Sequence, residues 1–424
     1  MKVYCETFGC TMNQGDTETM LGQLAGMGHK PVMEVGQADI LIVNTCAVKG
    51  KTQRRVLRRL ADLKRVNGKP IVVAGCLPLV DLSSIEKLGS FACITSCRAV
   101  SSIGRIVEKV QAGDSKLKLL EQAPCERPLM PKARSGPVSA IVAIAEGCLS
   151  SCSYCSVRLA RGALKSYSPD SIKEEVRLAL RSGYREIKIT AQDTAAYGAD
   201  IGSNLPSLIN GISSIPGDFR IRVGMMNPSF AKRLLPGLLD AYRSDKVYKF
   251  LHLPVQSGDD VVLESMKRDY TVDDFLEVVE AFRDNFGDIY LCTDVIVGYP
   301  GEGEEEFRHT YELVRKVRPN KVNISRFSPM PGTEAAGMPQ MNGREVIKRS
   351  RPLDVLSHKI GREINSSCVG RVERVLVVET GKKGGSTARL SNYTPVVVQG
   401  GRLGDFVNVK IVGATSTYLE GVLV

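Results

Sequence analysis

The stretch that most restricts this chain is Glu146-Gly147-Cys148-Leu149-Ser150-Ser151-Cys152-Ser153-Tyr154-Cys155, which sets three cysteines at C-x3-C-x2-C on one short loop. Thiolates at that spacing can meet three irons of an iron–sulfide cube and leave the fourth without a local ligand. An open metal position invites a small chelating molecule, as at a catalytic zinc. Unrelated buried cysteines, or a zinc knot completed by a distant ligand, are the alternative.

With 424 residues, the chain is too long for one small core, so two or three domains are expected. No apolar run reaches membrane-spanning length, and Met1-Lys2-Val3-Tyr4-Cys5-Glu6 lacks the order of a signal peptide. The expectation is a cytoplasmic protein with no membrane partner. Its twelve cysteines then read as metal ligands or buried thiols before disulfides. The net charge of +11 hints at a polyanionic partner. Residues 1–130 carry +6, residues 131–361 +2 and residues 362–424 +3, so the ends are basic and the middle nearly neutral. That distribution suits a catalytic core flanked by RNA-contacting modules, and equally a solvated basic surface.

Short apolar runs at residues 38–44 and 70–74 mark strands buried on both faces, and residues 50–66 form an amphipathic helix with Val56, Leu60 and Leu63 on one side. Further helices are expected at 82–88 and 101–111. This is an open parallel α/β sheet. Cys10, Cys46 and Cys76 each end a strand segment, so all three should gather at the carboxyl edge, where such sheets bind ligands. Three thiolates there can hold a second cluster; buried structural thiols account for the positions as well. Cys5, Cys93, Cys97, Cys125, Cys292 and Cys368 show no partner pattern and read as structural.

Residues 112–137 are a connector broken by glycine and proline. Six strand candidates follow, at 138–145, 186–190, 219–223, 247–253, 289–297 and 321–327, with helices such as 169–181 and 229–242 between them. Repeated β-α units give a partial (β/α)6 barrel like a TIM barrel, and place the cysteine loop on its carboxyl face. On that rim Tyr154, Gln192, Asp193, Asn227, Gln256 and Asp294 are candidates to bind a cofactor, and Gly298 to let backbone approach it; each alone is as readily a turn or cap. His252 reads as a packed or strand-end histidine. Residues 366–424 show five short strands, a small β-barrel of the oligonucleotide-binding kind, with Arg389, Tyr393 and Lys410 as RNA contacts.

The C-x3-C-x2-C loop with Tyr154 before its last cysteine resembles the radical S-adenosylmethionine superfamily. Thr7-Phe8-Gly9-Cys10-Thr11-Met12-Asn13, Asn44-Thr45-Cys46-Ala47-Val48 and Gly75-Cys76-Leu77-Pro78 resemble three successive signatures of the methylthiotransferase family. The stretches 191–206, 224–228 and 154–162 look most like its archaeal and eukaryotic threonylcarbamoyladenosine branch, and the tail resembles the TRAM domain. The resemblance implies two [4Fe–4S] clusters and S-adenosylmethionine as cofactors. Cys148, Cys152 and Cys155 would hold the radical-generating cluster, and Cys10, Cys46 and Cys76 the sulfur-delivering one. It implies insertion of a methylthio group at C2 of N6-threonylcarbamoyladenosine, adenosine-37 beside the anticodon of tRNA, with an external electron donor and a sulfur source. It further implies domains at 1–115, 134–365 and 366–424; a monomer is the expectation. The lack of a C-terminal anchor favours the archaeal form. Alternatives are the isopentenyladenosine branch, a ribosomal-protein aspartate as substrate, and a non-catalytic iron–sulfur RNA-binding protein.

Overall fold

A computed structural model describes residues 1–48, 50–120, 125–381 and 384–424; within the connector 112–137, residues 121–124 lie outside the described residues. The chain divides into two compact units. The first comprises Met1–Ser135, Ala143–Ile172 and Ser328–Gly337; the second comprises Gly136–Val142, Lys173–Phe327 and Met338–Val424.

The first unit is built on a six-stranded parallel sheet. Its strands are β1 (Lys2–Thr7), β2 (Lys30–Val32), β3 (Ile40–Thr45), β4 (Ile71–Gly75), β5 (Cys93–Thr95) and β6 (Leu117–Leu119), in the order β2-β1-β3-β4-β5-β6. Strands β3 and β4 are apolar on both sides because helices cover both faces. Leu41, Val43 and Val73 face helix α2 (Gly50–Asn67), which buries Val56, Leu60 and Leu63 as its periodicity predicts. Ile40, Ile42 and Val72 face the other way, against α1 (Thr11–Gly26) and the helix Ile103–Gln111. The first strand stops at Thr7, so Cys10 does not end it but stands at the N-cap of α1. The first unit also holds the two-residue strands Ala145–Glu146 and Lys165–Ser166, which pair antiparallel and bracket the cysteine loop.

In the second unit, two three-stranded parallel sheets carry the six expected β-α strands. One joins Ser139–Ala143, Glu186–Thr190 and Arg220–Val223; the other joins Phe250–His252, Tyr290–Val297 and Lys321–Arg326. A parallel bridge from Ile221 to Val247 links the two. The expected helix 229–242 is two helices, Pro228–Arg233 and Leu235–Ala241, because Pro236 in the first turn of the second supplies no N–H to continue the first. Strands Val372–Thr380, Ser386–Arg389, Pro395–Val398, Phe406–Ala414 and Leu419–Leu423 close into a barrel around Val375, Val377, Val396, Val409 and Ile411. Among the described residues, no helix is long and apolar enough to cross a membrane.

Candidate active site

Parallel pairing brings the ends of β1, β3 and β4 to one edge, and the three predicted cysteines arrive there together. Cys10 is exposed while Cys46 and Cys76 are buried. Asn13, one turn into α1, organises them. Its Nδ2 donates to the carbonyls of Phe8 and Thr45, both at 2.8 Å. Its Oδ1 is thereby fixed toward the thiols of Cys10 and Cys76, each at 3.7 Å. Cys46 fits beside them because residue 9 is glycine: at φ +121° a Cβ there would stand 2.8 Å from Cys46 Cβ. Burial pushes the Cys46 thiol up to about 12. A hydrogen bond from Cys97, then the positive charge of Arg161, hold Cys76 below the usual thiol range despite its burial. The sequence offers Cys97 no partner, yet the fold sets it beside Cys76, with its thiol also 3.4 Å from the carbonyl of Ala160.

The second cysteine group lies on the irregular loop between Glu146 and the short helix Val157–Arg161. Cys148, Cys152 and Cys155 form no disulfide and are of intermediate exposure, and Tyr154 between them is half-buried. The loop is held at its ends. The amide of Cys148 donates to Gly162 O at 3.2 Å, Ser156 Oγ to Ala47 O at 2.7 Å, and the amide of Ala335 to Ser153 O at 2.9 Å. The segment 328–337 therefore braces this loop.

Between the two cysteine groups runs a buried ionic network that sequence reasoning missed. Arg161 donates to Glu146 Oε1 (3.0 Å), Asp16 Oδ2 (2.7 Å) and Asn13 Oδ1 (2.9 Å). Arg127 donates to Glu146 Oε1 (2.7 Å) and to the carbonyl of Cys97 (2.9 Å), and pairs with Asp16. All four charged side chains are no more than 3% exposed. Two cations and two carboxylates balance, as burial demands. Burial alone would raise the Glu146 carboxyl, but Arg127 and Arg161 hold it below its ordinary value. The available signal was a charged residue closing an apolar strand run, since such a position is buried and needs a partner.

The second unit holds the other candidates. Gln192 is half-buried and Asp193 buried in the turn after Glu186–Thr190. Asp193 Oδ1 accepts from the amides of Ala195 (3.1 Å) and Asn227 (3.0 Å), while its buried Oδ2 has no hydrogen-bond partner among the described residues. Burial pushes its carboxyl up to about 6. Asn227 caps the helix that begins at Pro228. Gln256 adopts φ +68° and bridges to Val295. Asp294 lies inside its strand rather than at the end, 2.9 Å from His252. Burial lowers the His252 pKa, but Cys292 and Asp294 more than offset this and bring it to about 9. What approaches Gly298 is a side chain: at φ +78°, a Cβ there would meet Val346 at 2.5 Å.

Of the expected RNA contacts, Lys410 is exposed. Tyr393 instead packs on Tyr248 and Phe250, with ring centroids 4.9 Å apart in both pairs, and Arg389 lies over the Tyr393 ring at 4.5 Å. These two residues join the small barrel to the central strands, because an aromatic ring and a half-buried guanidinium gain more from mutual packing than from water.

The cysteine donor sets suit iron–sulfur cubes. None of the twelve cysteines is in a disulfide. No three His, Cys, Asp or Glu among the described residues converge as ligands of a single ion.

Known proteins resemble the chain along its length. Residues 142–314 match the radical SAM superfamily, residues 2–95 the uncharacterized protein family UPF0004, and residues 366–424 the TRAM domain. A probable threonylcarbamoyladenosine tRNA methylthiotransferase of Pyrococcus horikoshii is 44% identical over the whole of both chains. Its counterpart in Archaeoglobus fulgidus is also 44% identical, over 100% of this chain and 99% of that one. The human threonylcarbamoyladenosine tRNA methylthiotransferase is 34% identical over 89% of this chain and 66% of its own. Among solved structures, the radical S-adenosylmethionine methyltransferase TsrM of Kitasatospora setae covers 88% of this chain and 80% of its own, with a TM-score of 0.58 at 14% identity, a likeness of fold.

Proposed function

Because the chain belongs to the threonylcarbamoyladenosine tRNA methylthiotransferase family, within the radical S-adenosylmethionine superfamily, we propose that it inserts a methylthio group at C2 of N6-threonylcarbamoyladenosine-37 in tRNA. Its modules are residues 1–115, 134–365 and 366–424. Cys148, Cys152 and Cys155 hold one [4Fe–4S] cluster, and Cys10, Cys46 and Cys76 hold a second. When bound, the clusters and S-adenosylmethionine supply the electron, the radical and the sulfur.

The chain's own residues position and insulate that chemistry. Asn13 keeps an amide oxygen, not a mobile water, beside Cys10 and Cys76. Arg161 spans from Asn13 to Glu146, two residues before Cys148, so one guanidinium orients the mouths of both cysteine groups. Asp193, with one oxygen on two amides and the other without a partner among the described residues, is a suitable acceptor for a hydroxyl or ammonium of the cofactor. An external electron donor and a sulfur source complete the reaction, and the enzyme works as a cytoplasmic monomer.

The observation that carries this reading is the meeting of Cys10, Cys46 and Cys76 around Asn13. The test is anaerobic reconstitution with S-adenosylmethionine, sulfide and reductant, and two tRNAs bearing threonylcarbamoyladenosine or isopentenyladenosine. Mass spectrometry of the digested nucleosides should show a methylthio gain on the first alone. A gain only on the second would move the protein to the other branch. Cofactor cleavage without gain on either would exclude tRNA, and no cleavage at all would leave the clusters as structural staples.

A further inference from the structure

The net +6 of residues 1–130 has one location. Helix α2 contains seven cations, Lys51, Arg54, Arg55, Arg58, Arg59, Lys64 and Arg65, and one acid, Asp62, so it alone accounts for the whole excess. The helix is sharply two-sided. Val56 and Leu60 are 0% exposed and Leu63 2%, packed on the sheet. On the far side Lys51, Arg54, Arg55 and Arg58 are exposed at i, i+3, i+4 and i+7, a single stripe. Three of the other cations are engaged: Arg59 with Glu6 at 2.7 Å, Arg65 with Asp62, and Lys64 with the carbonyl of Leu88 at 2.8 Å. Among the described residues, no acidic side chain pairs with any of the four in the stripe. Like charges at this spacing repel, so the helix bears a cost that an anionic partner would lift.

The stripe also has an address. It starts five residues after Cys46, and Arg55 lies over the ring of Phe8 at 5.3 Å, two residues before Cys10. Its length from Lys51 to Arg58 is about 10 Å, the axial run of about three phosphates on a helical strand. The apolar stripe that would insert into a bilayer is already buried in the core, which argues for a nucleic acid over a membrane surface.

We infer that Lys51, Arg54, Arg55 and Arg58 of helix α2 form a phosphate-contacting surface that guides the RNA substrate toward the edge bearing Cys10, Cys46 and Cys76. This rests on the tRNA reading above. It gives the first unit an RNA-binding role, whereas Arg389 and Tyr393 of the small barrel are occupied in packing.

The test uses the full-length reconstituted protein and labelled tRNA bearing threonylcarbamoyladenosine, with affinity followed by anisotropy over a salt series. The variant Lys51→Glu/Arg54→Glu/Arg58→Glu should bind at least about tenfold more weakly, and its slope of log affinity against log salt should fall by about 2. The corresponding triple change to Gln should lose less, in the same direction, with an unaltered melting curve. Arg105→Glu/Lys109→Glu reverses two exposed charges on the opposite face of the same sheet and should leave affinity within about twofold. Wild-type affinity and slope in the triple variant would overturn the assignment, as would an equal loss in the Arg105/Lys109 control. Loss of binding to phosphatidylcholine–phosphatidylserine vesicles with tRNA affinity unchanged would overturn it in favour of a membrane. If the wild type methylthiolates tRNA while the triple variant binds normally, only the helix assignment falls; if the wild type binds no tRNA, both readings fall.

Discussion

The two cysteine groups of the first unit are built on opposite plans. Cys46 and Cys76 follow directly on the ends of paired strands, Cys10 stands at the N-cap of α1, and Asn13 ties the carbonyls of Phe8 and Thr45 together. Cys148, Cys152 and Cys155 sit on a loop with no helix or strand of its own, which hydrogen-bonds to neighbouring segments through Cys148, Ser153 and Ser156. The first arrangement is fixed by folding. The second is carried on irregular backbone and tied to separate neighbouring segments at Gly162, Ala47 and Ala335. On the reading proposed above, the first plan suits a site that must present one sulfur accurately, and the second a site that must admit a small molecule.

That contrast can be broken most forcefully at Arg161, which serves both plans at once. Arg161→Met leaves Asp16 and Glu146 buried with Arg127 as their one remaining cation. We expect cluster-free protein to lose about 3–5 kcal/mol in chemical denaturation. A loss under about 1 kcal/mol would mean the network is ornamental. Arg161→Lys should recover only part of it, because an ammonium cannot repeat the fork that reaches three acceptors.

Gly9→Ala tests the pre-set edge alone. It places a side chain at φ +121° and against Cys46, so about 1–3 kcal/mol should be lost. On the two-cluster reading proposed above, reconstituted protein should then lose about half its iron, the share of the cluster that Cys10, Cys46 and Cys76 would hold. Full iron in Gly9→Ala would show that this edge tolerates movement as readily as the loop does.

A milder contrast separates the units by pH. His252, with a folded pKa of about 9, contributes stability that is complete below its unfolded value near 6.5 and is lost as pH rises through 9. The second unit should therefore soften by no more than about 3 kcal/mol in mild alkali, and His252→Gln should flatten that slope. A variant with an unchanged slope would remove the His252–Asp294 pair as its source. The smallest effect is expected at Leu149, which is 41% exposed. Leu149→Ser should change stability by under about 0.5 kcal/mol, since the loop is not held by its own apolar side chains.

Sequence made the sheet and the barrel strands legible because both rest on local patterns. The runs ending at Thr45 and Gly75 and the stripe Val56, Leu60, Leu63 need nothing beyond periodicity. The cysteines were legible through topology, since parallel strands put successive ends on one edge. What stayed hidden depends on residues far apart in the chain. Arg127 sits in a proline-broken connector, Asp16 in a helix and Arg161 beyond the loop, and no spacing rule joins them. Tyr393 shows the same limit from the other side: an aromatic in a turn of an RNA-binding fold reads as a stacking platform until Tyr248 and Phe250 are seen to cover it.

The shared guanidinium also bears on how such an enzyme could have been pieced together. A fragment of residues 1–115 retains Asp16 and Asn13 but neither Arg127 nor Arg161, so it would bury a carboxylate with nothing to answer it. Residues 1–115 are thus not a detachable cassette. A chimera that transplants residues 1–115 must therefore carry Arg127 and Arg161 as partners for Asp16.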